Sequence, residues 1–248
     1  MTLNPNGITR HFGTNLAKIL GDKIVAVYPE FNFGKFIKLI EKRIIDKSYT
    51  ERIIIFAETL HELLPASYSE SIAILVKILG PENPNETGMF KEFYWILPIG
   101  KFVELYGLDH YSVSIKALEE ITKRNTAEYA VRPFIKKYPE KMLQKIKSWA
   151  VSKNFHLRRL ASEGLRPKLP WATKLDIFIQ DPKPVFEILE LLKTDDILFV
   201  KKSVANNIRD YLKVNKEQAE KLLQKWSKVD NKNTLWIIKH ATRKMNKE

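Results

Sequence analysis

The chain of 248 residues contains no cysteine, which excludes disulfides, thiolate nucleophiles and thiolate zinc sites. Its five histidines, His11, His61, His110, His156 and His240, include no pair at the spacing that puts two metal ligands on one helix face. No metal and no cofactor are expected. No apolar run reaches the roughly 18–20 residues needed to cross a bilayer, and the opening MTLNPNGITRHFG lacks the basic-then-apolar order of a secretion signal. The expected location is the cytoplasm, with no membrane partner. Glycine is scarce, at 9, and no convincing alternating strand pattern appears.

What is present is a core and an uneven charge. Hydrophobic residues make up 44% and aromatics 11%, enough for a substantial interior. Residues 1–124 carry 15 Lys+Arg against 15 Asp+Glu, whereas residues 125–248 carry 27 against 14, so the net charge of +13 belongs wholly to the second half. A neutral half joined to a basic half points to a surface organised for a polyanion, nucleic acid first and membrane second.

The apolar spacing is helical throughout. Phe36, Ile37, Ile40 and Ile44 mark one face; Ile72, Leu75, Val76 and Leu79 mark another; Leu189, Leu192, Val200, Val204 and Ile208 continue the pattern. Asp181-Pro182 and Tyr138-Pro139-Glu140 suit helix starts, while Leu64-Pro65 and Gly80-Pro81 close helices. Leu157–Glu163 (LRRLASE) aligns with Val200–Asn206 (VKKSVAN) at an offset of 43 residues, with looser copies at Trp236–Ala241 and around Glu128–Arg132. That period fits HEAT-type helix pairs. The fold class is therefore all-α, a HEAT-like helical-repeat superhelix read as one domain over 1–248, with neutral helices in 1–124 and basic repeats in 125–248. Equivalent cations stacked along its concave face could follow a phosphate backbone.

The most unusual segment is His156–Ala172, HLRRLASEGLRPKLPWA. A helix is expected to end near Gly164, with a loop held by Pro167 and Pro170 and Trp171 close to the next helix start. Glu163 sits among Arg158, Arg159, Arg166 and Lys168, which taken alone reads as a surface salt bridge. Together with Ala127–Phe134 (AEYAVRPF) and Val200–Asp210 (VKKSVANNIRD), this segment resembles the AlkC branch of the AlkC/AlkD DNA glycosylases. Val27-Tyr28-Pro29 and Leu60–Pro65 (LHELLP) extend the resemblance toward the start of the chain.

The resemblance implies a superhelix that clasps damaged duplex DNA, working from the backbone side. It would hydrolyse the N-glycosidic bond of a cationic N-alkylated base in base excision repair, chiefly 3-methyladenine and in some members 3-methylcytosine. The chemistry is coherent. A cationic base leaves readily, so the protein need only stabilise an oxocarbenium-like sugar and position water, which a carboxylate can do. Asp210 is the expected water-positioning carboxylate, Glu163 and Glu128 line the same cleft, and Trp171 packs against the lesion nucleotide with a cation–π attraction of about 0.5–2 kcal/mol. Arg132, Arg158, Arg159, Arg166, Lys168, Lys201, Lys202 and Arg209 are the expected phosphate contacts, Arg166 foremost. The partner is alkylated double-stranded DNA, and a monomer suffices to clasp it. The enzyme would be monofunctional and metal-independent.

Other positions read as structure. Trp149, Trp226, Trp236, Tyr94 and Trp95 have apolar neighbours at helical spacing and are expected in the core. The lysines of the tail from Lys213 to Lys247 read as a solvated face. His156 fits a helix start or a DNA contact equally. The chain resembles the shorter form of the family, without the immunoglobulin-like domain that many relatives carry, and Lys202 stands where members often have Arg, which loses bidentate phosphate geometry. Two other classes remain open on charge and periodicity alone: a non-catalytic nucleic-acid-binding repeat, and a scaffold whose basic groove accepts an acidic peptide.

Overall fold

The structure is a computed structural model that describes residues 7–88, 90–170 and 172–243, and every regular element among them is a helix. They are α1 (Thr14–Val25), α2 (Phe33–Arg43), α3 (Tyr49–Leu63), α4 (Tyr68–Lys77), α5 (Phe90–Phe93), α6 (Leu97–Tyr106), α7 (Tyr111–Thr122), α8 (Val131–Lys137), α9 (Pro139–Ala150), α10 (Phe155–Glu163), α11 (Asp176–Gln180), α12 (Lys183–Leu192), α13 (Leu198–Val214), α14 (Lys216–Ser227) and α15 (Lys232–Thr242), with short 3-10 turns at Ile8–His11 and Tyr94–Ile96. None is long and apolar enough to cross a membrane. The chain divides into two compact units, Met1–Ala130 and Val131–Glu248.

In the first unit α1 packs on α2, α2 on α3, α3 on α6, and α6 and α4 on α7. Starts are written locally. Ser48 accepts from the Glu51 amide while Glu51 reaches back to the Ser48 amide at 2.9 Å, a reciprocal cap for α3. Asn32 and Ser67 cap α2 and α4 one way, their side chains accepting from the Lys35 and Glu70 amides. After α4 the chain turns at Gly80, whose φ of +73° lies in the left-handed region that glycine tolerates, as the Gly80-Pro81 break anticipates. Phe12, Leu16, Leu20, Phe36, Ile40, Phe56, Leu75 and Phe102 form the interior. Trp95 joins it, while Tyr94 is only half-buried.

In the second unit α9 packs on α8, α10 and α12; α10 then packs on α13, and α13 on both α14 and α15. Pro139 occupies the first turn of α9, and Gly164 caps the C-terminus of α10, both where the sequence put them. The helices carrying the aligned segments, α10, α13 and α15, pack in succession, so the repeat is real in space. The fourth copy fails: Glu128-Tyr129-Ala130 is a turn, and helix begins only at Val131. Trp149 and Trp226 are buried, but Trp236 is half-buried and stacks on His240 at 4.6 Å and 12°. His156 is buried, and the α10 cap is Asn154, which accepts from the His156 and Leu157 amides at 3.0 and 3.3 Å.

Candidate active site

The polar centre of the second unit lies where α10 ends against α13. Ser203, Asn207 and Asp210 fall at i, i+4 and i+7 on α13, hence on one face. The Asn207 amide donates to the Ser162 carbonyl at 2.7 Å, and the Ser203 hydroxyl donates to Glu163 Oε2 at 2.6 Å. Past Glu163 the chain turns at Gly164, where an added Cβ would lie 3.0 Å from Val131 Cγ2 and 3.1 Å from the Leu160 carbonyl. This turn returns Arg166 over the end of α10. Its Nη1 donates to Glu163 Oε1 and its Nε to Asp210 Oδ2, each at 2.7 Å. One guanidinium thus joins carboxylates 47 positions apart in the chain.

The two carboxylates are not equivalent. The Glu163 side chain is 6% exposed and both its oxygens are engaged, Oε1 by Arg166 and by Arg159 at 3.5 Å, Oε2 by Ser203. Burial pushes its carboxyl up, but the Arg159 and Arg166 charges and the hydrogen bonds from Ser203 and Arg166 outweigh this, and the net direction is below the ordinary carboxylate value. Glu163 is a held anion, not a proton donor. Asp210 is 14% exposed; Arg166 holds Oδ2, and Oδ1 accepts no hydrogen bond from the described residues. Burial opposes the Arg166 charge, yet the Asp210 hydrogen bond and the Glu163 and Asp210 charges hold its proton more firmly than usual.

The loop carrying Arg166 is fixed from beneath by Arg132. That side chain is 1% exposed, its Nη1 donating to the Gly164 and Arg166 carbonyls at 3.1 and 2.9 Å, its Nε and Nη2 to the Thr173 carbonyl at 2.9 and 2.6 Å. The expectation that Arg132 contacts phosphate is corrected: buried and committed to three carbonyls, it staples the loop. Trp171 lies outside the described residues.

The repeated cation pairs divide their labour. In each copy the first cation ties its helix to the stretch around the start of the next repeat helix. Arg158 donates to Asp195 at 2.6 and 3.3 Å and to the Ser152 and Lys153 carbonyls, and Lys201 donates to Asn233 at 3.0 Å. Arg158 thus acts as a strut, and Lys201 is held in part, also lying over the Trp236 ring at 5.6 Å. The second cations differ: Arg159 joins the Glu163 cluster and lies over Phe199 at 5.0 Å, whereas Lys202 is exposed. Lys168 is likewise exposed, and neither Lys168 nor Lys202 meets a carboxylate among the described residues. Arg209 donates to Asn206 Oδ1 and to the Ala241 and His240 carbonyls.

Glu128 belongs to the first unit. It is buried in a tight turn, its Oε2 accepting from Thr126 Oγ1 at 3.0 Å and its amide donating back to that oxygen at 3.2 Å. Ser203 and Asn207 were missed by sequence reasoning. The offset of 43 held the signal: Ser203 stands opposite Leu160 of the other copy, a polar residue at an apolar repeat position.

An all-helical repeat with a guanidinium-bridged carboxylate pair among cations has a family to match. Residues 109–245, more than half of the chain, match the family described as DNA alkylation repair enzyme, and the chain belongs to that family. It is 41% identical over 224 residues to YhaZ of Bacillus subtilis (strain 168), covering 89% of this chain and 59% of that protein. Its structure resembles the alkylpurine DNA glycosylase AlkC of Pseudomonas fluorescens, solved bound to DNA containing an abasic site analog, with a TM-score of 0.87 and 31% identity over 96% of this chain and 64% of that one. The chain thus spans about six tenths of the length of these relatives.

Proposed function

We propose that the chain is a monofunctional, metal-independent DNA glycosylase that releases cationic N-alkylated bases, 3-methyladenine above all and 3-methylcytosine as a second substrate, from duplex DNA. The single observation that carries the reading is Asp210: one oxygen pinned by Arg166, the other open, beside an anionic Glu163 in a family that repairs alkylated DNA. The N-glycosidic bond breaks with its electron pair leaving on the base, which neutralises the positive charge the alkyl group placed there. The sugar becomes oxocarbenium-like, and the two carboxylates stabilise it electrostatically. Water then adds to C1′, and its proton passes to Asp210 Oδ1. Glu163 serves at a distance, keeping Arg166 charged and Asp210 in place. Glu128 and Trp171 complete the proposed machinery on sequence grounds. Arg158, Arg159, Lys168, Lys201, Lys202 and Arg209 are the proposed phosphate contacts, and Arg166, foremost among them on sequence grounds, is held between Glu163 and Asp210 and faces phosphate only with what that bridge leaves free.

The test is release of free base from methylated duplex DNA by the purified full chain, without added metal, followed by chromatography. The expected product is 3-methyladenine with an abasic site left in the strand. A folded protein that binds the DNA and releases no alkylated base would return the chain to the non-catalytic binding class.

A further inference from the structure

Cations gather at the last turn of α15, and no carboxylate forms an ion pair with them among the described residues. Arg209 sends all three of its bonded nitrogens to neutral acceptors, two of them the His240 and Ala241 carbonyls that end the helix. Those carbonyls would otherwise repel an anion; the guanidinium cancels that end of the dipole. Arg243 Nη1 lies 3.1 Å from His240 Nδ1, and since guanidinium only donates, Nδ1 accepts and the ring's proton sits on Nε2. The ring is held flat against Trp236. Lys202, exposed on α13, acts on the same ring through its charge.

No carboxylate pairs with Lys202, Arg209 or Arg243 among the described residues. The crowding is felt electrostatically. Burial and the charges of Arg243, Arg209 and Lys202 push the His240 ring below its ordinary value; burial and Arg243 push Arg209 down, with Asp210 the acid opposing. Cations assembled at such a cost, with an N–H donor among them, fit an anion of several oxygens.

We propose that Lys202, Arg209, His240 and Arg243 form a phosphate-binding site that takes one backbone phosphodiester of duplex DNA. This rests on the reading of the chain as a DNA enzyme and deepens it, because Arg209 precedes Asp210 on α13 and ties the phosphate grip to the carboxylate. Lys202 and Arg243 supply exposed charge, Arg209 a fixed cation behind them, and His240 a neutral donor. His240 and Arg243 stand apart by being built into a cluster.

The experiment is binding of a labelled, undamaged duplex across a salt series, for the full chain and for Arg243→Gln and Lys202→Gln, both exposed and tolerable to the fold. Each removed contact should flatten the slope of log affinity against log salt by about 0.9 and weaken binding at low salt. Lys228→Gln, removing an exposed cation elsewhere, is the charge control and should leave the slope in place. Equal slopes for wild type and Arg243→Gln, or an equal loss from Lys228→Gln, would overturn the site. His240 ring resonances should shift on adding the duplex; a response to inorganic phosphate with none to the duplex would overturn the assignment to DNA. Because undamaged DNA is used, failure of base release would defeat the glycosylase reading and leave this result standing.

Discussion

The two units treat charge in opposite ways. Met1–Ala130 carries 15 Lys+Arg and 16 Asp+Glu, and pairs such as Lys35–Glu62 and Lys47–Glu51 lie largely in solvent. Val131–Glu248 carries 27 and 13, yet it buries the Glu163 and Asp195 side chains, and among the described residues no carboxylate forms an ion pair with the cations around His240. Solvated pairs contribute little to stability, whereas buried or uncompensated charge costs desolvation or repulsion. Apart from Glu128, buried in its turn against Thr126, the first unit keeps its acids at least partly hydrated. The second accepts that cost, which is the signature of groups arranged for a ligand or a reaction rather than for folding.

The sharpest way to break that contrast is to remove one carboxylate from each unit. Asp210→Asn keeps an oxygen for the Arg166 hydrogen bond but loses the acceptor for the water proton. Single-turnover release of 3-methyladenine should fall by about 10²–10⁴ with DNA binding retained. Glu104→Gln, in a partly buried first-unit pair, should leave release in place. Equal activity of Asp210→Asn and wild type would take Asp210 out of the mechanism.

Next in size is Arg166→Met. It leaves Glu163 buried with Arg159 and Ser203 alone, and chemical denaturation should show a loss of about 2–4 kcal/mol. A loss under about 0.5 kcal/mol would mean that the bridge is replaced by solvent and that Glu163 is not held as described.

Glu163 also fixes a pH dependence. Its folded value lies below the unfolded one, so its contribution to stability is complete above about pH 4.5 and is lost as pH falls through the lower folded value. Wild type should therefore lose stability on acidification more steeply than Glu163→Gln, followed as denaturation midpoints from pH 7 to pH 3. Parallel curves would sink the claim that the pairing outweighs burial.

The sequence carried the helical class, the repeat and the stretch around the site because these are local or periodic. Pro139 and Gly164 punctuate as expected, and the offset of 43 puts α10 and α13 side by side. What spacing cannot carry is the partner of a long side chain. Arg132 and Arg158 read as phosphate contacts because they share helix faces with other cations. Their acceptors, the Thr173 carbonyl and Asp195, stand 41 and 37 residues away on loops with no periodic signal. The same limit hid Arg243, which carries no signal of its own until α15 brings it to His240. The physical cause of the difference between Glu163 and Asp210 was out of reach for the same reason, since it depends on where one arginine folds back.

The smallest expected effect tests the other side of the comparison. Lys101 and Glu104 lie 2.6 Å apart on α6, closer than Arg166 and Glu163 at 2.7 Å, so distance alone ranks the first-unit pair as the stronger. Environment reverses the order: side chains 19% and 22% exposed keep part of their hydration and hold one geometry at an entropy cost, while Glu163 at 6% has no water to return to. Lys101→Ala should change stability by less than about 0.5 kcal/mol. A loss matching that of Arg166→Met would show that the units do not differ in how charge is used, and the case for a specialised second unit would then rest on its net charge alone.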